Sequence, residues 1–583
     1  MNKSRRDFLK KLPLAMSIPF TVGGLSMRAM GQNMLTQMAA GSTNPNVLVI
    51  LQMHGGNDGL NCCIPVEHYG DYYNMRANIA IPANNSLRKY VALDSSLPIN
   101  TQIGLHPDMQ AMKVLYDTAR MTVVQGVSYK NNNGSHFRGR DIWFMGGSAE
   151  DYMQSGWLGR YLQSEYEPWE YPLQFNNPDF PLNTMKDPLA IEIGNTASLI
   201  FHQEGNIPTS ISIYDVPQFA NLVEDLEGFN EMETVDPTGI PPGFLSGSPY
   251  FKELNWILDL EDKSKDYSEI LAAEYNAGGA TTVTYPTIYP FNAPSGSLNN
   301  PLSYQLQMIA RLLAGGCQTK IFLVKIGGFD THADQVEKYD PTMGGHAALM
   351  YHISTAMKAF QEDLRSRALE DRVMTVTTSE FGRRVKSNGS YGTDHGTAGP
   401  MFIFGKGVRP GVIGDAYSIT NSNNLEMQYD YRVVYANIMR DWMGVDDTRL
   451  NAIFPDANNM NDPTKGLMTS GTSDGTVFED LRLAQQSPLG AEAFIGERFS
   501  LEDCYPNPAK DHTTVSFKIN HTNRVVVNLF DQQGKKMKVM VDGEYVPGEH
   551  KVEVDLTGLP TGPYIYELKT GFFKEAKKLV IIK

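Results

Sequence analysis

Short apolar runs alternating with helix-period stripes constrain this chain more than any other feature. The runs are Val47–Met53, Met121–Val127, Leu189–Ile193, Ile321–Ile326, Val373–Thr378 and Met401–Phe404. They are apolar at successive rather than alternate positions, as in a strand buried on both faces. Between them Leu349, Ile353, Met357, Phe360 and Leu364 recur at steps of three and four, one face of a helix. A second helical stripe runs from Leu302 to Leu313 before Gly315-Gly316. This alternation predicts an α/β fold over residues 46–455, with helices on both faces of a mostly parallel sheet.

The residues directly after these runs point to chemistry. Val47–Met53 leads into His54-Gly55-Gly56-Asn57-Asp58-Gly59, and Ile321–Ile326 into Gly327-Gly328-Phe329-Asp330-Thr331-His332. Val373–Thr378 leads into Ser379-Glu380-Phe381-Gly382-Arg383, Met121–Val127 into a loop ending Gly134-Ser135-His136, and Asp394-His395 precede Met401. Ligands of open α/β sheets bind at the carboxyl ends of the strands. Carboxylates and imidazoles gathered there suit a divalent cation. Taken singly, Asp58, Asp330 and Asp394 read as turn formers. Taken together, the loops predict a shared polar site. Ser135 precedes an expected helix, His136 to Met145, where it would serve as a nucleophile favoured by the helix dipole or as the helix N-cap. Both readings stand. Arg138, Arg140 and Arg383 would hold an anionic substrate or pair with neighbouring acids.

Charge excludes some classes. The 583 residues carry 50 basic and 65 acidic side chains, a net −15, which argues against a nucleic-acid partner. The four cysteines, Cys62, Cys63, Cys317 and Cys504, contain no CxxC pair, so a thiolate zinc site is not expected. No apolar run of the mature chain is long enough to cross a bilayer.

The two ends read as addresses. Ser4-Arg5-Arg6-Asp7-Phe8-Leu9-Lys10, followed by a modest apolar stretch, resembles a twin-arginine export signal, placed over residues 1–41. The resemblance implies the twin-arginine translocase as a partner. Near the other end, short β-rich runs from Thr513, Arg524, Lys536, His550, Tyr564 and Ala576 alternate with glycines, the pattern of a small all-β, immunoglobulin-like sandwich over residues 499–583. YPNPA, VNLFDQQGKK, DLTGLPTGPYIYEL and KKLVIIK resemble the type A sorting domain of the type IX secretion system. That implies the secretion machinery as a partner and a secreted or cell-surface protein that passes through the periplasm. Residues 456–498 read as a linker, and 165–290 as an insertion or cap.

The segments LQMHGGNDGLN, NNNGSHFRGRDIWFMG, SGWLGRYL, IGGFDTHADQ, TSEFGRRVKSNGSYGTDHGTAGPMFIFG and GVIGDAY resemble the exported domain-of-unknown-function family fifteen-oh-one, of the alkaline phosphatase and sulfatase superfamily. The resemblance implies that superfamily's α/β/α sandwich, whose active members use two divalent metals beside a serine, threonine or modified cysteine. Carried over, Asp58 is the first-strand acid, Ser135 the nucleophile, and Asp330 and His332 the later acid–histidine pair. The adjacent Asp–His pair expected after the next strand is replaced by Glu380-Phe381, while Asp394-His395 come later. Either Glu380 and His395 share that role or the loops are rearranged. The implied metal ligands are Asp58, Asp330, His332, Glu380, Asp394 and His395. The metal is zinc, manganese, iron, magnesium or calcium, and His136, Arg138 and Arg383 bind the substrate. The implied activity is metal-dependent hydrolysis of phosphate or sulfate esters by Ser135. The alternative is a non-catalytic surface protein that binds a metal or glycan on the same fold.

Overall fold

The computed structural model describes residues 44–165, 187–219, 267–459, 465–484 and 500–582, apart from short breaks at 85–86, 195–196, 204–206, 418, 420–422, 520–522, 532–534, 547 and 570–573, and also strands 19–22 and 25–28. The twin-arginine motif, most of the expected cap (166–186 and 220–266) and residues 485–499 lie outside the described residues. The described residues fall into two compact units, one of 19–22, 25–28 and those within 46–485, the other of 44–45 and those within 486–583.

The first unit is built on a nine-stranded sheet. Its strands are β1 (Val47–Met53), β2 (Met121–Ser128), β3 (Ala190–Ile193), β4 (Ser210–Ile213), β5 (Ile321–Ile326), β6 (Val373–Thr378), β7 (Gly399–Phe404), β8 (Gly411–Ile413) and β9 (Tyr429–Asp430). Their order is β4-β3-β5-β1-β6-β7-β2-β8, with β9 also on β2. β1 lies at the centre and pairs in parallel with β5 and β6. Only β7 runs against the rest. An apolar run buried on both faces carries no directional signal. Direction is set by the connection: a hairpin of Arg383–Ser387 with Thr393–His395, rather than a helical crossover, joins β6 to β7.

Helices cover both faces. Val47, Val49, Leu51 and Met53 of β1 share one core cluster with α1 (Gln110–Asp117), α4 (Pro301–Ala314) and α5 (Gly345–Ser366). Leu48 and Ile50 point the other way and are equally buried. Away from that cluster, α2 (His136–Met145), α3 (Trp157–Glu165) and α6 (Tyr431–Asp441) are joined by ring contacts, Trp143 tilted against Tyr431 and Trp157 stacked on Tyr435. Residues 465–484, read from composition as linker, pack instead on this unit. Leu467 and Leu483 are fully buried, and Arg432 of α6 pairs with Asp474 at 2.6 Å. Their Ser, Thr, Asp and Gly residues make turns and hydrogen bonds around that buried guanidinium.

The second unit is an antiparallel β-sandwich. One sheet joins β10 (Ser500–Leu501), β11 (His512–Ile519) and β14 (Gly548–Asp555). The other orders β13 (Lys536–Tyr545), β12 (Asn523–Phe530), β15 (Gly562–Lys569) and β16 (Lys574–Ile581). Alternate residues such as Val525, Val527 and Leu529, with Val515, Phe517 and Tyr566, fill the space between them.

Candidate metal centre

The loops after β1, β2, β5 and β6 and the loop before β7 leave the same edge of the sheet. Their approach is close enough to require glycine. At Gly55, with φ +122°, a Cβ would lie 2.3 Å from the backbone nitrogen of Asp330.

Arg383 knits these loops together. Its buried guanidinium donates to the carbonyls of Gly56 (2.9 Å), Phe329 (2.9 Å), Thr393 (2.9 Å) and Gly55, and to Oδ1 of Asp330 (2.8 Å). A side chain expected to bind an anionic substrate is therefore fully engaged within the protein. Arg138 is turned elsewhere, its Nη2 donating to the carbonyls of Ala149 (2.7 Å) and Asp151.

Asp330 stands at the centre. Its Oδ1 lies 3.1 Å from Nε2 of His332 and 3.3 Å from Nε2 of His395, and its Oδ2 lies 3.4 Å from Nε2 of His136. The Nε2 atoms of His332 and His395 are 2.7 Å apart. Ligands held at ~2.0–2.2 Å by a tetrahedral ion lie ~3.3–3.6 Å from one another. One ligand atom each of His136, Asp330 and His395 lies within 4.8 Å of the others, a set that could close on one cation, with His332 beside it. Two further observations support the fit. Nδ1 of His395 lies 2.6 Å from the carbonyl of Gly134, which places its proton there and leaves a lone pair on Nε2. Both ring nitrogens of His136 are buried without a hydrogen bond. Burial also lowers the pKa of His136, against the pull of Asp330, which favours the neutral ring a cation needs. Burial raises Asp330, but Arg383, His395 and His136 outweigh it and hold the carboxyl at about 2.

The other expected ligands take different places. Asp394 stands behind His332, Oδ1 lying 3.7 Å from Nδ1, and accepts from Asn388 at 3.3 Å. At that distance it makes no hydrogen bond to the ring, and it lies outside the group of His136, Asp330 and His395. Asp58 is buried against Nη1 of Arg76 (2.7 Å) and Nε2 of Gln335 (2.6 Å), and caps a short helix through the N–H of Leu60 (3.2 Å). Burial pushes its pKa up, but Arg76 and His346 more than reverse this. Glu380 accepts from the N–H groups of Gly55 (3.0 Å) and Gly56 (3.2 Å), and its Oε1 lies 2.5 Å from Nδ1 of His54. Those partners keep its pKa below the usual value in spite of burial. Ser135 caps α2, its Oγ accepting from the N–H of Arg138 at 3.3 Å. It adjoins Gly134, whose carbonyl holds His395.

Two residues gain roles that their sequence positions did not suggest. His136, expected to touch substrate, stands with Asp330 and His395 in the group that could hold a cation. His54 forms a half-exposed dyad with Glu380, its ring centroid 6.3 Å from that of His136. Its signal was available in outline, since it opens the glycine-rich loop directly after β1.

Residues 280–459 match the family described as protein of unknown function (DUF1501). Residues 503–582 match the secretion system C-terminal sorting domain. No curated protein matches the chain. Among solved structures, a protein of the alkaline phosphatase superfamily from Vibrio parahaemolyticus is 11% identical, covers 90% of this chain and 88% of its own, and has a TM-score of 0.32. A sulfatase from Pseudoalteromonas sp. is also 11% identical, covers 90% and 86%, and scores 0.32. A phosphonate monoester hydrolase from Silicibacter pomeroyi is 11% identical, covers 92% and 88%, and scores 0.28. Overlays this loose carry no weight for activity. No helix of the described residues is long and apolar enough to cross a membrane. The chain thus joins a segment that matches DUF1501, in which Asp330, His332 and His395 lie, to a type IX sorting domain that marks a secreted or cell-surface protein.

Proposed function

We propose that the first unit is a metal-dependent hydrolase of phosphate or sulfate esters, carried to the periplasm by the twin-arginine translocase. The observation that carries the reading is the gathering of His136, Asp330 and His395, one ligand atom of each within 4.8 Å of the others, with His332 Nε2 3.1 Å from Asp330, at the carboxyl edge of a mostly parallel sheet. These four side chains would hold a divalent cation, which supplies Lewis-acid polarisation of an ester oxygen. The carbonyl of Gly134 orients the ring of His395. Ser135, at the start of α2, is the nucleophile, its hydroxyl favoured by the free N–H groups of the helix end. His54, tied at Nδ1 to Glu380, offers Nε2 as the acceptor for the hydroxyl proton. Attack forms the bond from Ser135 Oγ to phosphorus or sulfur, and the alcohol leaves with a proton. Water then releases the acid and regenerates the serine.

One observation favours a second reading, a surface protein that binds a cation without turnover. Asp58 is occupied by Arg76 and Gln335, so the first-strand acid is withheld from any second ion. Turnover of 4-nitrophenyl phosphate and 4-nitrophenyl sulfate, with and without chelator, separates the two. Hydrolysis abolished by chelator and restored by metal supports the hydrolase. Bound metal without hydrolysis of either ester supports the second reading.

A further inference from the structure

Three rings meet at the donor group. The centroid of Phe381 lies 4.9 Å from that of His136 and 4.5 Å from that of His395, and the two imidazoles are 4.4 Å apart. Phe381 is only 2% exposed, although it sits in the loop after β6. That loop is fastened on two sides. Ser379 Oγ accepts from the N–H of Asn57 at 3.0 Å and donates to the carbonyl of Phe381 at 3.3 Å. The N–H of Gly382 donates to the carbonyl of Thr397 at 2.7 Å. Glycines make room for the ring itself. A Cβ on Gly56, at φ +83°, would lie 2.7 Å from its Cδ2, and one on Gly139 of α2 would lie 3.5 Å from its Cδ1.

A phenyl ring has no ligand atom to offer a cation. What it can supply is the direction of a neighbouring ring. The two imidazoles differ in how they are held. His395 is fixed by the carbonyl of Gly134, 2.6 Å from its Nδ1. Neither ring nitrogen of His136 has a hydrogen bond among the described residues. The torsion that turns an imidazole about its Cβ–Cγ bond is broad and roughly two-fold, so a ring without hydrogen bonds takes its direction from packing. The rings closest to His136 are those of Phe381 and His395, with His54 further off at 6.3 Å. A ligand ordered before the ion arrives spares binding the cost of ordering it.

We infer that Phe381 is a positioning residue, whose ring holds the imidazole of His136 in the direction that lets it close on one cation with Asp330 and His395. This rests on the reading of that group as a metal site. Titration of the chelator-stripped full chain with cobalt(II) chloride, followed through the visible absorption of the bound ion, tests it. Phe381→Leu and Phe381→Met keep an apolar side chain and lose the ring; the second serves if the first does not fold. Each is expected to bind cobalt at least about tenfold more weakly than wild type and to change the visible band, which reports the ligand set. In a His136→Ala background, Phe381→Leu or Phe381→Met should cost less than about threefold, because the imidazole that the ring orients is gone. Ring-less variants that bind like wild type would overturn the positioning role and leave the metal site. So would an affinity loss as large without His136 as with it, or a loss with the band unmoved, since either marks packing alone. Wild type that binds no cobalt removes the metal site, and the positioning role with it.

Discussion

Replacing Arg383 by lysine keeps the charge and removes the fork. The guanidinium serves five acceptors, the carbonyls of Gly55, Gly56, Phe329 and Thr393 and Oδ1 of Asp330. An ammonium has three donors, so at least two acceptors lose their partner. Each buried acceptor left unsatisfied costs ~1–3 kcal/mol, giving a loss of about 2–6 kcal/mol. Urea unfolding of wild type and Arg383→Lys at pH 7, followed by near-ultraviolet circular dichroism, measures this as a lower midpoint at unchanged slope. Because Asp330 and two of the loops lose their anchor together, bound metal should fall in the same variant. A change within about 0.5 kcal/mol would refute the reasoning, since that is the range of surface substitutions.

Other substitutions probe separate parts of the account. Gly55→Ala forces a Cβ against the Asp330 backbone at φ +122°, and should lower both the unfolding midpoint and metal content; normal values for both would mean the loops can part. Ser135→Ala removes an N-cap and the proposed nucleophile, so stability should drop by about 1 kcal/mol while ester turnover falls at least about a thousandfold. Unchanged turnover would take the serine out of the mechanism. Burial, and then the Asp187 carboxylate, push Glu274 up to about 9. A raised carboxyl pKa means the folded chain keeps a proton that the unfolded chain releases, so stability falls as pH rises from about 4.5 to 9. Glu274→Gln should therefore melt several degrees above wild type at pH 8, with the gap closing at pH 5; equal melting at pH 8 would show that the acid is not held protonated.

The central strands were legible because their runs are mostly apolar at successive positions. Val47–Met53, Ile321–Ile326 and Val373–Thr378 coincide with β1, β5 and β6, and the helix expected from His136 to Met145 is α2. The direction of β7 was not, since burial on both faces looks the same in either sense. In the site, the loops were legible but the side-chain partners were not. Asp58 and Arg383 resemble ligands in sequence, yet Arg76 and the loop carbonyls that engage them come from distant positions with no local pattern. His136 was expected to bind substrate and His54 was given no role, for a related reason. Whether a histidine faces a cation, a carboxylate or a substrate depends on which loop lies opposite, and that is fixed only by the tertiary fold. Residues 465–484 read as linker because their polar turn formers are also what surrounds a buried arginine.

The central claim is that four side chains hold one cation. The measurement that meets it most directly is elemental analysis of the purified secreted chain, beside the double variant Asp330→Ala, His395→Ala, with both proteins kept free of chelator. Close to one zinc, manganese, iron, magnesium or calcium ion is expected per wild-type chain and almost none in the double variant, whose far-ultraviolet spectrum stays native. Wild type without stoichiometric metal, or a double variant that retains it, would contradict the claim and return the four donors to a structural network.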